Sequence, residues 1–348
     1  MRRLSLRSLL LASLITAALP PSVSNAAEMT LKLATIAPGG SSSIQEMKRA
    51  GDEIEKATEG RVKLKFYPGG VMGNDETVLR KMRIGQLHGG AFPSGSLAKL
   101  VPNVDLYSLP LMFRSYEEVE YVRARLDSDL VAEMEKKGLI VAALSDNGFA
   151  YFMSVRPVRA VGDLDGAKVW IPQGDVMSET ALRTAGVSPI QLPLPDVYTG
   201  LQTGLVDTVA APPIGAIAFQ WHTKVKYVTD APLMYLLGLL VVDVKAWSKI
   251  QPADREVVRK YLSAASARLD KANRSGDRSA FEALQKQGIE TVEPASAEEL
   301  ERWRDIGRRS VAALRAKGIY SNDRIDRIEK YLAEYRRSNG DGHGDGER

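Results

Sequence analysis

An α/β fold of two domains is predicted for this chain, on three observations. Strand-like and helix-like segments alternate over the first half, which implies parallel strands joined by crossover helices. The chain has 348 residues, more than one hydrophobic core usually organises. Its composition, 44% hydrophobic and 26% charged, is that of a globular protein and excludes collagen-like or wholly disordered structure.

The elements follow from local signals. Residues 31–35 read as a short strand, followed by a Gly/Ser loop at 37–43. An amphipathic helix then runs to about residue 58, where Glu59-Gly60 stops it. Residues 62–67 alternate as a second strand. Residues 74–84 form a helix with Asn74 as its N-cap, and 89–92 a short strand. A long helical region at 116–137 precedes a strand at 139–144. Next come a strand at 168–171, a helix near 176–185, a helix at 197–203 that Gly204 ends, and a strand at 206–210. The most apolar stretch, 231–244, is interrupted by Pro232, Gly238 and Asp243 and reads as buried strands, not a membrane span. From Pro252 onward the pattern is helical and charge-laced, over 252–286, 297–316 and 321–337. The tail, 339–348, holds only Gly and polar or charged residues and is expected to be disordered.

Residues 1–26 read as a secretory signal peptide. Arg2, Arg3 and Arg7 precede an apolar run at 9–19, Pro20-Pro21 break it, and Ser24-Asn25-Ala26 offers small residues for cleavage after Ala26. The run is shorter than the ~20 residues that a span requires. The chain has no cysteine, so disulfides, thiolate metal sites, thiol nucleophiles and a lipoprotein anchor are not expected. An exported, soluble, disulfide-free protein fits the bacterial periplasm. The net charge of +4 falls to +1 without the three leading arginines, which is no footprint for nucleic acid.

Motifs for chemistry are sparse. Gly69-Gly70 and Gly89-Gly90 lack the spacing of phosphate loops and read as turns. Neither G-x-S-x-G nor H-E-x-x-H occurs, and the histidines are only His88, His222 and His343. No metal or cofactor is expected. An enzyme would have to use isolated groups such as Asp146, Asp175 or His222, with no activated pair in sight, so a non-enzyme is expected. Trp247 and Trp303 read as core, and Trp221 as core or pocket. Trp170, on a short strand before Pro172, shares a face with Lys168.

Several segments in order resemble the DctP-type substrate-binding proteins of TRAP (tripartite ATP-independent periplasmic) transporters. Phe66-Tyr67-Pro68 with Gly73-Asn74-Asp75-Glu76 is similar to the family's Y-P…L-G-x-x-x-E stretch. Met82-Arg83-Ile84-Gly85-Gln86 is similar to its R-x-G block, and Leu109-Pro110-Leu111-Met112-Phe113 to L-P-F-L-F. The run from Asp163 to Pro172 resembles D-L-K-G-L-K-I-R-V-P, and that from Asp196 to Asp207 resembles E-V-Y-x-A-L-Q-T-G-V-V-D. The resemblance covers about 31–331. It implies a two-lobed periplasmic solute-binding protein (type II-like), hinged, with a long bridging helix and a helical C-terminal region. The expected split is lobe I at 27–147 plus 236–275 and lobe II at 148–235 plus 276–338. A small organic solute would bind in the cleft as the lobes close. It would then pass to the small and large membrane subunits of an ion-gradient-driven permease. The receptor itself is expected to be a monomer that does not insert in the membrane.

The chain departs from the family where the ligand is held. Trp170 stands where the resemblance implies a carboxylate-clamping Arg, Ala150 where a second Arg often stands, and Ala211 where Asn is common. Ile36 and Pro93 occupy positions that are polar in acid-sugar binders. Trp carries one N–H donor and cannot replace a bidentate Arg–carboxylate fork. The ligand is therefore expected to be aromatic, apolar or otherwise non-standard. Trp170, Phe149, Tyr151 and Phe92 would form its walls, with one of Phe149 and Tyr151 facing in. Gln173, Ser42 and Ser43 would supply hydrogen bonds, Ser94 lies beside Pro93, and Asp75 sits at the rim. The alternatives are an organic acid held by a relocated cation (Lys168, Arg156 or Arg159) and a receptor that presents its ligand to a periplasmic sensor.

Overall fold

The computed structural model describes residues 28–339. The expected signal peptide and residues 340–348 of the expected tail lie outside the described residues. Five strands build the first half. β1 (Met29–Ala34) pairs in parallel with β2 (Val62–Tyr67), from Met29 opposite Val62 to Ala34 opposite Tyr67, and with β3 (Gly89–Pro93) on its other side. β3 pairs antiparallel with a later strand, Met234–Asp243, which in turn pairs with the first part of β4 (Leu139–Ser154). In the second half β5 (Trp170–Pro172) pairs with β6 (Ile190–Leu192), while β7 (Thr208–Ala211) and β8 (Tyr227–Thr229) both pair with the last part of β4. The strand at Met234–Asp243 is β9, and β10 (Glu290–Val292) extends β8. Among the described residues, β4 and β9 are the strands that run through both halves.

The helices sit where periodicity and caps place them. α1 (Ser42–Ala57) turns Ile44, Met47, Ala50 and Ile54 to the sheet. α2 (Asp75–Arg83) is capped by Asn74, whose side chain accepts from the Thr77 N–H. After the short α3 (Ser94–Leu97), α4 (Tyr116–Lys136) is capped by Ser115. α5 (Val176–Thr184) is capped by Asp175, and α6 (Val197–Thr203) ends at Gly204 with φ 71°, the left-handed stop that Gly favours. α7 (Pro213–Ala218) and α8 (Val244–Trp247) are single turns.

α9 (Pro252–Lys286) has 35 residues, roughly 50 Å at 1.5 Å per residue. It packs on α1 in the first half, on α7 in the second, and along β4 between them. α10 (Ala297–Lys317) lies on α5, with Trp303 edge-on to Phe152. α11 (Asn322–Ser338) crosses back. Its Ile325, Ile328 and Leu332 join the core around Val119, Val122 and Leu126 of α4. Placing all of 276–338 with the second lobe is therefore incorrect for α11, whose apolar stripe is buried by the first.

The strand expected to end at 144 continues to Ser154. Ser145-Asp146-Asn147-Gly148 has the composition of a turn, but the chain absorbs it as an irregularity between Asp146 and Gly148 within the ladder. Behind this point lies a buried ion network. Asp146 accepts from Arg123 Nη1 of α4 at 2.6 Å, from Arg274 Nε of α9 at 2.7 Å and from the Tyr235 hydroxyl of β9. Its backbone N–H donates to Asp270 at 2.7 Å, and Asn273 donates to its carbonyl at 2.6 Å. The two through-running strands are thus tied to α4 and α9 at the level where the halves meet.

Candidate ligand-binding cleft

A cleft of about 680 Å³ opens between the halves. The first half supplies the loop after β1, the N-terminus of α2 and the turn from β3 into α3. The floor includes Ser145, Asn147, Leu237 and Leu239 from the through-running strands. The second half supplies Ala150 and Phe152, the segment from Trp170 to Asp175, and Ala210 to Pro212. Most of this lining is apolar, as suits the body of an organic ligand.

Four carboxylates interrupt it; Glu76 is exposed, and the other three are Asp105, Asp175 and Asp75. Asp105 is 4% exposed and accepts from Ser94 Oγ at 2.7 Å. Burial first, and the Asp175 charge second, push Asp105 up to about 7. Asp175 itself is raised by burial, although it accepts from the Ser178 N–H at 2.9 Å and the Ser178 hydroxyl at 2.6 Å. Asp75 accepts from Ser96 Oγ at 2.6 Å, while its Oδ1 is buried without a partner. Burial raises Asp75 as well. The cations that line the cleft, Arg80, Arg83 and Lys99, are exposed at its mouth. The indole N–H of Trp303, in the wall of the second half, is buried and unpaired.

The family profile of bacterial extracellular solute-binding proteins, family 7 (DctP), matches residues 33–317. The chain belongs to this family. It is 28% identical over 261 residues to the C4-dicarboxylate-binding periplasmic protein DctP of Rhodobacter capsulatus, covering 72% of this chain and 76% of the relative. It is 31% identical over 179 residues to the 2,3-diketo-L-gulonate-binding periplasmic protein YiaO of Escherichia coli, covering 51% and 53% of the two chains. Its fold superposes with a TM-score of 0.82 on the sugar-acid-binding protein DctPAm of Advenella mimigardefordensis in complex with galactonate. That match has 19% identity and covers 88% of this chain and 99% of the other. The two-lobed α/β fold is that of the TRAP solute-binding proteins, and the chain is a solute-binding receptor that works with membrane permease subunits. Among the described residues no helix is long and apolar enough to cross a membrane.

In this DctP-family cleft the residues named from sequence divide into two sets. Ile36, Ser42, Ser43, Asp75, Phe92, Pro93, Ser94, Ala150, Trp170, Gln173 and Ala211 all line it. Phe149 and Tyr151 do not. Two apart on one strand, they share a face, so neither faces in: Phe149 packs 5.7 Å from Tyr235 and Tyr151 4.9 Å from Phe281. Their neighbours Ala150 and Phe152 hold the cleft face instead. Trp170 is a packed wall, 3% exposed, edge-on to Trp221 at 5.2 Å. Its N–H already donates to the Leu192 carbonyl at 3.0 Å.

The relocated cations are not in the lining. Lys168 Nζ donates to the Gly204 carbonyl at 2.8 Å, Arg159 lies 3.8 Å from Glu290, and Arg156 is exposed elsewhere. Asp146 and His222 also lie outside the lining. Asp105, Asn147 and Lys99 escaped the sequence reading. Asp105 alone carried a legible signal, as the one charge in the apolar run from Val104 to Phe113.

Proposed function

We propose that the two halves are lobes hinged where β4 and β9 pass between them, and that they close on a small organic solute with a largely apolar body. The cleft carries this reading: it is walled by both halves, and among the described residues β4, β9, α9 and the turn from α10 into α11 pass between them. Trp170, Ala150, Phe152, Phe92 and Pro93 take the body of the ligand, and Ser43, Asn147 and Gln173 supply hydrogen bonds. The chain acts as a monomer without catalysis. It is exported to the periplasm after cleavage behind Ala26, and it hands its ligand to the small and large membrane subunits of its permease.

A second reading is favoured by the neighbours, which are described with bound gulonate, galactonate or erythronate. An acid here would meet its cations at the mouth, at Lys99 or Arg80, and not on the strand that carries Trp170.

A thermal-shift screen of residues 27–348, after unfolding and refolding to strip any carried ligand, tests the proposal. A true ligand at 100 times its Kd stabilises by about 2.7 kcal/mol. Small-angle scattering should then show the protein contract as the hit is added. A hit without contraction would contradict lobe closure.

A further inference from the structure

We propose that Ser145 and Asn147, which converge over Gly238 on the cleft floor, form an uncharged seat for a planar amide, so that the ligand is a carboxamide or lactam on an apolar body. The inference rests on the reading of the cleft as the ligand site. Ser145 and Asn147 stand on β4 and Gly238 on β9, and all three line the cleft. A Cβ at Gly238 would lie 2.7 Å from Asn147 Oδ1 and 2.9 Å from Ser145 Oγ, so both side chains end over the bare glycine. Glycine inside a strand marks a place where a ligand can approach the backbone closely. Asp146, between them in sequence, lies outside the lining, with both oxygens engaged by Arg123, Arg274 and Tyr235. The side chains of Ser145 and Asn147 make no hydrogen bond to another described residue. They offer donors and acceptors without charge. An amide complements them: its N–H donates to Asn147 Oδ1 or Ser145 Oγ, and its carbonyl accepts from the Asn147 amide or the Ser145 hydroxyl. A charged head fits less well. Behind the floor the carboxylates of Glu120, Asp127, Asp146 and Asp270 outnumber Arg123 and Arg274, which opposes an anion. The lining cations Arg80, Arg83 and Lys99 are exposed at the mouth. An ammonium group would leave water for neutral acceptors, at the cost of burying an unpaired charge. Burial also raises the lining carboxylates Asp75, Asp105 and Asp175, which weakens their pull on a cation.

Calorimetry on the ligand-stripped protein tests the seat with three matched compounds: 3-phenylpropanamide, 3-phenylpropionate and 3-phenylpropan-1-amine, the last as its ammonium form. Scattering would follow closure in parallel. The amide should bind roughly tenfold more tightly than either charged compound. Ser145→Ala and Asn147→Ala remove side chains that hold no partner in the protein, so both variants keep the fold, and each should weaken amide binding roughly tenfold. Gly238→Ala puts a methyl group under the two polar ends and should weaken it at least as much, with the melting temperature read alongside. Closure on the anionic or ammonium compound in preference to the amide would overturn the seat and leave the cleft as the ligand site. So would amide affinity unchanged in both the Ser145→Ala and Asn147→Ala variants. Absence of closure with every compound would overturn the seat together with the cleft reading.

Discussion

Two buried carboxylates, Asp146 and Asp105, meet opposite fates. Asp146, behind the hinge, is surrounded by Arg123, Arg274 and Tyr235, drawn from α4, α9 and β9. Asp105, in the cleft, has serine hydroxyls and the repulsion of Asp175. Compensation by fixed side chains makes a charge part of the scaffold. A charge without it is costly in the folded chain, and a ligand is one way to offset that cost. Asp146 is tied to fixed side chains of three elements, and Asp105 only to neutral hydroxyls.

The comparison breaks most visibly at the hinge. Asp146→Ala would take one acceptor from each of Arg123 and Arg274, which keep Asp127 and Glu120, and the loss of stability should be about 3 kcal/mol. Chemical denaturation would measure it, and a loss below about 1 kcal/mol would mean that the network is incidental. Of similar size is Trp170→Ala in the cleft wall. The indole packs on Trp221 and donates to Leu192, so about 3 kcal/mol of stability should go, at the low end for Trp because the hole opens to solvent.

Asp105→Asn sharpens the contrast with the opposite sign. Asp105 holds its proton up to about 7 in the folded chain, against 3.8 when unfolded. Its contribution to stability is therefore complete below pH 4 and is lost as pH rises through 7. The variant should melt a few degrees above wild type at pH 8 and match it near pH 4. Asp270, raised to about 6, titrates in an overlapping window, so the difference between the two proteins is the quantity to read. The smallest effect belongs to the surface. Arg125, exposed on α4 and 3.5 Å above the Tyr121 ring, should cost under about 1 kcal/mol when changed to Ala.

Much of the fold was legible because its signals are local. Asn74 before α2, Gly204 after α6 and Pro252 at the start of α9 mark element ends through backbone chemistry alone. The long reach of β4 was not legible, since Asn147-Gly148 has the composition of a turn and only pairing with β9 keeps it in the strand. That irregularity also sets which face carries Ala150 and which Phe149, so Ala150 lines the cleft as named from sequence, while the walls expected of Phe149 and Tyr151 face away. The position of Trp170 was readable by resemblance, but the loss of its N–H to Leu192 depends on β6, which is 20 residues further along the chain.

The most direct test of the contrast is the titration of Asp105, followed by carboxyl carbon NMR in aspartate-labelled protein and assigned through Asp105→Asn. A midpoint near 7 is predicted for the ligand-free chain. A midpoint near 4, the ordinary value for an aspartate, would mean that the cleft charge is as well compensated as the one behind the hinge, and would contradict the account.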